Sequence, residues 1–476
     1  MINSDPVLNT GDEAKGLPSP HPGADGEDIG TSQDTLQKSE VNSSPGDDFD
    51  NERARETAIG NVDEGVREAP TLDEGAGGAT VVDEGVGEAT TLDEGVREAT
   101  IVDERGREAT IVDVKDSVIW GVGENLFWDK LELNEPTDEE VEKLWDKLLE
   151  LEGKQGLKLY FDQYRDPEKL NQRFIDVREL SEEIDLWMVG DLHGDILGLE
   201  TVLNYAEKCS GEATRRRVVT FMGDLFDRGD FGHKVLFKVL TLIAEDPASY
   251  ALIVGNHDEG LMYADGQFSS SVQPAEFSEW LNRKESNSPW RRLAIWAIEF
   301  FKKVPRAVLL PDGLLLAHGG VPHVDKHEKI QKADDLELDD VGMDFVWTRL
   351  HPDAKRKIPN RHSRGCSIGI EDFGDFTKKV EFIFCRKMIG IVRGHDHLES
   401  RYAFFEKYEE HEKLFVLTIN TICYRQSAEV FGSNSRPAII AKWNSGSHPS
   451  VYSIAIPELT IEKTYFPKDP DKSDSV

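Results

Sequence analysis

Five times between Leu186 and His395 a short, mainly apolar run ends in a cluster of glycine, carboxylate and imidazole residues. Leu186–Val189 leads into Gly190-Asp191-Leu192-His193-Gly194-Asp195, and Arg217–Met222 into Gly223-Asp224-Leu225-Phe226-Asp227-Arg228-Gly229. Tyr250–Val254 precedes Gly255-Asn256-His257-Asp258, Leu314–Ala317 precedes His318-Gly319-Gly320, and Met388–Val392 precedes Arg393-Gly394-His395. After the first two clusters the apolar residues switch to helical spacing: Ile196, Leu199, Val202 and Leu203, then Val235, Leu236, Val239, Leu240 and Ile243. Strands alternating with helices imply an α/β core with crossover connections. In such cores the ligand site lies beyond the carboxyl ends of the strands, where all five clusters fall.

Composition divides the chain. Residues 1–110 hold 27 acidic against 8 basic side chains, a net −19 of the total −36. Phe49 is the only aromatic residue before Trp120, and all nine tryptophans lie from Trp120 onward. A stretch so acidic and so poor in aromatics cannot bury enough apolar area to offset its chain entropy, so residues 1–116 are expected to be a disordered acidic tail. Over about 61–115 a ten-residue period recurs, VDEGVREAPT, LDEGAGGATV, VDEGVGEATT, LDEGVREATI and VDERGREATI. One apolar pair per ten residues is too little for a solenoid unit, so an expanded, solvated linker is expected; the alternative is an arm that presents carboxylates to a protein partner or to a basic site.

Order is expected from 117. Residues 117–180 read as a helical lead-in, with Thr137-Asp138-Glu139-Glu140 as a capped start ahead of Val141, Leu144, Trp145, Leu148 and Leu149, and a second helical pattern over 157–174. The catalytic domain is expected over 181–460 and a tail over 461–476. No apolar run approaches the about 18–20 residues of a membrane span, and Met1–Thr10 lacks a secretory pattern. Cys209, Cys366, Cys385 and Cys423 form no CxxC pair, which fits isolated thiols in a reducing, cytoplasmic setting. The net charge of −36 disfavours nucleic-acid partners.

The clusters supply hard oxygen donors and imidazoles without thiolate, a set that suits manganese, iron or zinc in a reactive site more than a structural zinc. Residues two apart on a strand share a face, so Asp191 and His193 can chelate one ion. Asn256, His318 and His395 are the candidates for a second, with Asp224 placed to bridge the two. Two such ions can hold a hydroxide for in-line attack on a phosphoryl group. Arg228 and Arg364 offer bidentate grips on phosphate, with Asn256 beside it. His257, oriented by Asp227, is positioned to protonate the leaving oxygen.

Taken together, GDLHGD, GDLFDRG, GNHD, AHGG, SRGCS and RGHDH resemble the calcineurin-like metallophosphoesterases, and among them the PPP class of serine/threonine protein phosphatases, over roughly 117–460. The resemblance implies a four-layer α-β-β-α sandwich and a dinuclear centre, manganese or a pair drawn from iron, zinc and manganese. The first ion would take Asp191, His193 and Asp224, and the second Asp224, Asn256, His318 and His395. His257 would be the proton donor supported by Asp227, and Arg228 and Arg364 would bind phosphate, with a phosphoprotein as substrate. Asp195 and Asp258 stand where eukaryotic members carry Gln and Glu, and 417–425 departs from the usual strand end, in the manner of bacterial members. Two other functions are weighed: nucleotide hydrolysis of the symmetrical diadenosine tetraphosphatase type, and a non-catalytic scaffold that acts through the acidic tail. His397 is assigned a supporting or surface role ahead of a ligand role, and Tyr424 is a candidate substrate contact. Trp280, Trp290, Trp296 and Phe300 are expected to pack, Cys366 to fill space, and 335–344 to be a solvated loop.

Overall fold

The computed structural model describes residues 133–467 apart from 170, 210–214, 352–353, 360–363, 407–413, 428 and 430–432, together with 98–102, 108–112, 128 and 131. The expectations for 1–97 and for 468–476 lie outside the described residues.

Two sheets stack face to face. One has five strands in the order Ser450–Ile454, Ala438–Trp443, Ile184–Val189, Arg216–Phe221, Tyr250–Leu252, of which the last three run parallel. The other has six, Tyr402–Glu406, Phe415–Ile419, Gly390–Arg393, Leu314–Ala317, Ala307–Leu309, Phe174–Asp176, with the strands at 415, 390 and 314 parallel. Period-two alternation sorts the side chains between layers. Leu186 and Met188 join Val308, Leu316, Val392 and Leu417 between the sheets. Trp187 and Val189, on the opposite face, pack with Leu199, Val235, Val239 and Leu293 from the helices Ile196–Lys208, Gly232–Glu245 and Pro289–Phe301. Beyond the other sheet, Leu315 and Ile391 pack on Phe373, Phe376 and Val380 of the helix Ile370–Phe384. The result is the four-layer α-β-β-α sandwich implied by the resemblance. Phe174–Asp176, within the expected lead-in, is an edge strand of the six-stranded sheet.

The helix Asp138–Gln155 begins at the expected cap, Thr137 Oγ1 accepting from Glu140 N at 3.3 Å and Glu140 Oε2 from Thr137 N at 2.8 Å. The second helical pattern does not form. Asp162 accepts from Leu159 N at 2.8 Å and from Arg165 Nε at 2.7 Å, which tightens Tyr160–Tyr164 into one 3₁₀ segment. Pro167 then prevents continuation, as proline lacks the donor that a helix interior needs. The 335–344 segment is likewise not a loop: Ala333–Glu337 and Asp339–Gly342 are short helical turns, and Glu337 accepts from the backbone of Arg173 and Phe174. Trp290 and Phe300 pack as expected, and Trp280 stacks on His233 at 4.5 Å.

Two segments of the decapeptide region are described. Glu98–Val102 and Glu108–Val112 pair antiparallel, Thr100 opposite Thr110. Both segments read EATIV, three of whose five residues are β-branched, as strands favour.

Candidate metal centre

The strands ending at Val189, Phe221, Leu252, Ala317 and Arg393 all deliver their following loops to one edge of the sandwich. The two sheets nearly touch there. Asp191 bridges to Asn420, and a Cβ on Gly190 would stand 2.3 Å from the Ile419 carbonyl oxygen, so only glycine fits. The loops turn sharply: His193, Asp224, Asp227, Arg228 and His395 hold φ of 42°, 53°, 65°, 65° and 67°. Left-handed backbone at a residue with a Cβ costs about 1–3 kcal/mol, and such positions persist where surrounding contacts over-determine them. Asp258 supplies such contacts. Its carboxylate accepts from Asp224 N (2.8 Å), Leu225 N (3.0 Å) and Gly255 N (2.9 Å). Burial and the neighbouring Asp224 charge push its pKa up to about 6.

Two groups of ligand atoms form around one shared carboxylate. In the first, His193 Nδ1 donates to the Phe226 carbonyl at 3.0 Å and His397 Nδ1 to Gln426 Oε1 at 2.8 Å. In these tautomers both Nε2 atoms carry lone pairs, and they face each other at 3.0 Å. His397 Nε2 is 3.4 Å from Asp191 Oδ2, and His193 Nε2 is 3.4 Å from Asp224 Oδ2. In the second, His318 Nδ1 donates to the Met222 carbonyl at 2.8 Å, leaving Nε2 3.0 Å from Asn256 Oδ1 and 3.3 Å from Asp224 Oδ2. His395 Nδ1 is 2.8 Å from the same Asn256 oxygen. Facing acceptors repel unless a cation lies between them. Bonds of about 2.1 Å to one ion would place its ligands about 3.0–3.4 Å apart, which is the spacing found. The donor set thus fits two divalent ions sharing Asp224, and the carboxylate–imidazole clusters Asp191–His193–Asp224–His397 and Asp224–His318–His395 contain it.

Electrostatics agree. Burial, and then the His397 ring, push His193 well below the usual histidine pKa; burial and Arg349 do the same to His395. Neutral imidazoles are what metal binding requires. His318 is buried too, but Asp224 and Asp191 outweigh that and push it up to about 9, so a proton stands where a cation would sit. Asp224 is held well below the carboxylate range, against burial, by His318 and His257.

His257 completes the centre. Its Nδ1 is 2.7 Å from Asp227 Oδ2, and Asp227 Oδ1 accepts from Phe277 N at 2.8 Å, so the carboxylate is fixed. Burial works to neutralise the ring, yet Asp224 and Asp227 hold its pKa above the ordinary value. Its Nε2 is buried without a partner among the described residues. Arg228 lines the cavity beside His395 and His397, together with Arg349, which the sequence motifs did not single out. Arg349 Nε is held 3.1 Å from Asp396 Oδ1, and burial lowers its pKa. Arg364 lies in an adjoining recess with Lys357 and Cys366, its guanidinium over the Trp347 ring at 5.7 Å.

Three further residues support or border the site. His397 sits in the first ligand group, not at the surface. Tyr424 is buried, with its hydroxyl 3.4 Å from the His193 carbonyl, so it supports the loop instead of meeting substrate. Asp195 is wholly buried and accepts from Gly198 N at 2.8 Å, from Cys423 N and from the Tyr465 hydroxyl. The pairing of His397 with Gln426 was the signal missing from the motif: HxH spacing alone does not say which way the second ring is turned.

Residues 184–399 match the calcineurin-like phosphoesterase family model, so the chain carries a domain of that family. Among curated proteins it is 24% identical over 163 residues to the serine/threonine-protein phosphatase 6 catalytic subunit of Drosophila melanogaster, covering 33% of this chain and 48% of that protein. It is 25% identical over 192 residues to an asymmetrical bis(5'-nucleosyl)-tetraphosphatase, PrpE, of Anoxybacillus flavithermus, covering 38% of this chain and 75% of that protein. The chain thus spans about half or less of the curated protein phosphatases it matches. A protein serine/threonine phosphatase of Saccharomyces cerevisiae aligns over 67% of this chain and 90% of its own, at 17% identity and a TM-score of 0.45. Among the described residues no helix is long and apolar enough to cross a membrane.

Proposed function

We propose that the chain hydrolyses phosphate monoesters of serine and threonine in proteins, using two divalent ions, manganese foremost, held by the ligand groups that share Asp224. The observation that carries this reading is the convergence of the Nε2 atoms of His193 and His397, 3.0 Å apart, with the carboxylates of Asp191 and Asp224. Ions bound there supply Lewis acidity toward phosphoryl oxygens and acidify coordinated water.

The chain's own residues supply the rest. Arg228 and Arg349 border the cavity on the side of His395 and His397 and grip the phosphate, as paired guanidinium groups do. Arg364, one recess away, meets the substrate on the far side of Trp347. The carboxylates of Asp224 and Asp227 favour the imidazolium form of His257, in which Nδ1 donates to Asp227 and Nε2 carries the second proton, which it delivers to the departing serine or threonine oxygen. Relatives named as serine/threonine phosphatases favour a protein substrate, while the tetraphosphatase relative, matched over 75% of its length, favours a nucleotide.

Phosphate release from a phosphoserine peptide and from diadenosine tetraphosphate, each with Mn²⁺ and with chelator, decides between them. Manganese-dependent release from the peptide supports the protein reading. Turnover of the nucleotide alone would keep the metal centre and reject the protein substrate.

A further inference from the structure

A cavity of about 640 Å³ opens beside His395, His397, Arg228 and Arg349. It extends between the helix Ile370–Phe384 and the outer face of the six-stranded sheet, where Ile368, Ile370, Phe373, Phe405 and Val416 line it. Most of its polar wall is already satisfied. Asp396 is shared by Arg349 and Arg393, Thr418 Oγ1 accepts from Arg393 at 3.2 Å, and Glu429 is paired with Arg401. Besides His395, whose Nε2 is also without a partner among the described residues, Gln426 is the exception. It is 6% exposed, its Oε1 is taken by His397, and its Nε2 has no partner among the described residues. A buried donor left without an acceptor is costly, so a ligand that supplies one gains by it.

The cavity therefore calls for three features in order: an anionic head between the guanidinium groups, an apolar body, and one hydrogen-bond acceptor. A phosphopeptide has all three, as phosphate, a neighbouring apolar side chain, and a backbone carbonyl. We propose that this cavity receives an apolar side chain flanking the phosphorylated residue, with Gln426 Nε2 donating to a backbone carbonyl beside it. The inference rests on the phosphoprotein reading above and adds a sequence preference to it.

The test uses the full chain with Mn²⁺ and phosphoserine peptides that differ only in carrying leucine or aspartate at one position, scanned from three residues before the phosphoserine to three after. Burial of one apolar side chain corresponds to about a ten- to hundred-fold preference in kcat/KM at the position that reaches the cavity. Ile370→Trp, which fills the space, and Phe405→Asp, which places a charge in it, should bring that ratio close to one. Both residues are partly exposed in the free chain, and hydrolysis of p-nitrophenyl phosphate, too small to reach the apolar wall, should stay unchanged in both and so reports an intact fold and centre. A wild-type ratio near one at every position, or a preference that survives both substitutions, overturns the proposal. Hydrolysis of the small phosphate with none of any peptide would instead reject the protein substrate on which it rests.

Discussion

The two ligand groups that meet at Asp224 are held in different ways. The second is closed: His318 and His395 are 0% and 4% exposed, Asn256 is 4% exposed, and the Met222 carbonyl fixes the His318 ring. The first has an open side. Asp191 and His193 are fully buried, but the His397 side chain is 19% exposed and is oriented by Gln426, a residue of the cavity wall. One group is thus fixed by backbone and burial, and the other in part by a side chain that itself borders the substrate space. The difference teaches that the ion of the first group should exchange more readily, and that its occupancy should respond to what fills the cavity.

The largest test removes what the groups share. Asp224→Asn should reduce bound manganese from about two equivalents to one or fewer and abolish turnover, because Asp224 Oδ2 lies 3.4 Å from His193 Nε2 and 3.3 Å from His318 Nε2, between the two groups. Metal analysis by mass spectrometry of the dialysed protein measures it; two tightly held ions in the variant would mean that Asp224 is not the bridge. His257→Ala should instead leave both ions in place and lower kcat about 10²–10⁴-fold, as loss of a general acid does. If metal content fell with activity, His257 would belong to the ligand shell and not to proton transfer.

Legibility follows the same division. The convergence of Asp191, His193, Asp224, Asn256, His318 and His395 was readable because each sits in a contiguous strand-plus-loop signature. The sandwich was readable too, from period-two strands and the helical runs after the first two clusters. What escaped was set by tertiary partners. The place of His397 beside Asp191 and His193 depends on Gln426, 29 residues away, and that of Arg349 on the cavity wall on Asp396, 47 residues on. The helical pattern at 157–174 failed because local side-chain bonds from Asp162 outcompeted helix hydrogen bonds, an outcome that apolar spacing does not register.

His397→Ala sharpens the contrast between the groups. It should weaken one of two manganese-binding steps by at least about ten-fold and leave the other unchanged, with activity recovered at high Mn²⁺. Calorimetric titration resolves the two steps. Equal weakening of both would show that the groups are not independent, and no weakening would return His397 to a supporting role.

The smallest effect should come from the far side of the first group. Tyr465, at the end of the helix Glu458–Tyr465, donates to buried Asp195 and stacks on Tyr424 at 4.3 Å, and the Tyr424 hydroxyl reaches the His193 carbonyl. A Cβ on Gly229, next to Arg228, would stand 2.3 Å from both that hydroxyl and that carbonyl oxygen, so the two tyrosines brace the metal loop and the phosphate loop at once. Tyr465→Phe keeps the stack and removes the hydroxyl, leaving Asp195 with its backbone donors. Losing a hydrogen bond to a buried carboxylate costs about 1.5–3 kcal/mol of stability. Because the ring still holds Tyr424 in place, only a fraction of that should reach His193, as a few-fold loss of affinity at the first manganese step and none at the second. Tyr465→Ala, which removes the stack as well, should enlarge the first-step loss and still spare the second. If both variants lowered stability with no change in either manganese step, the brace would serve the fold alone, and the openness of the first group would have to be ascribed to His397 and Gln426 by themselves.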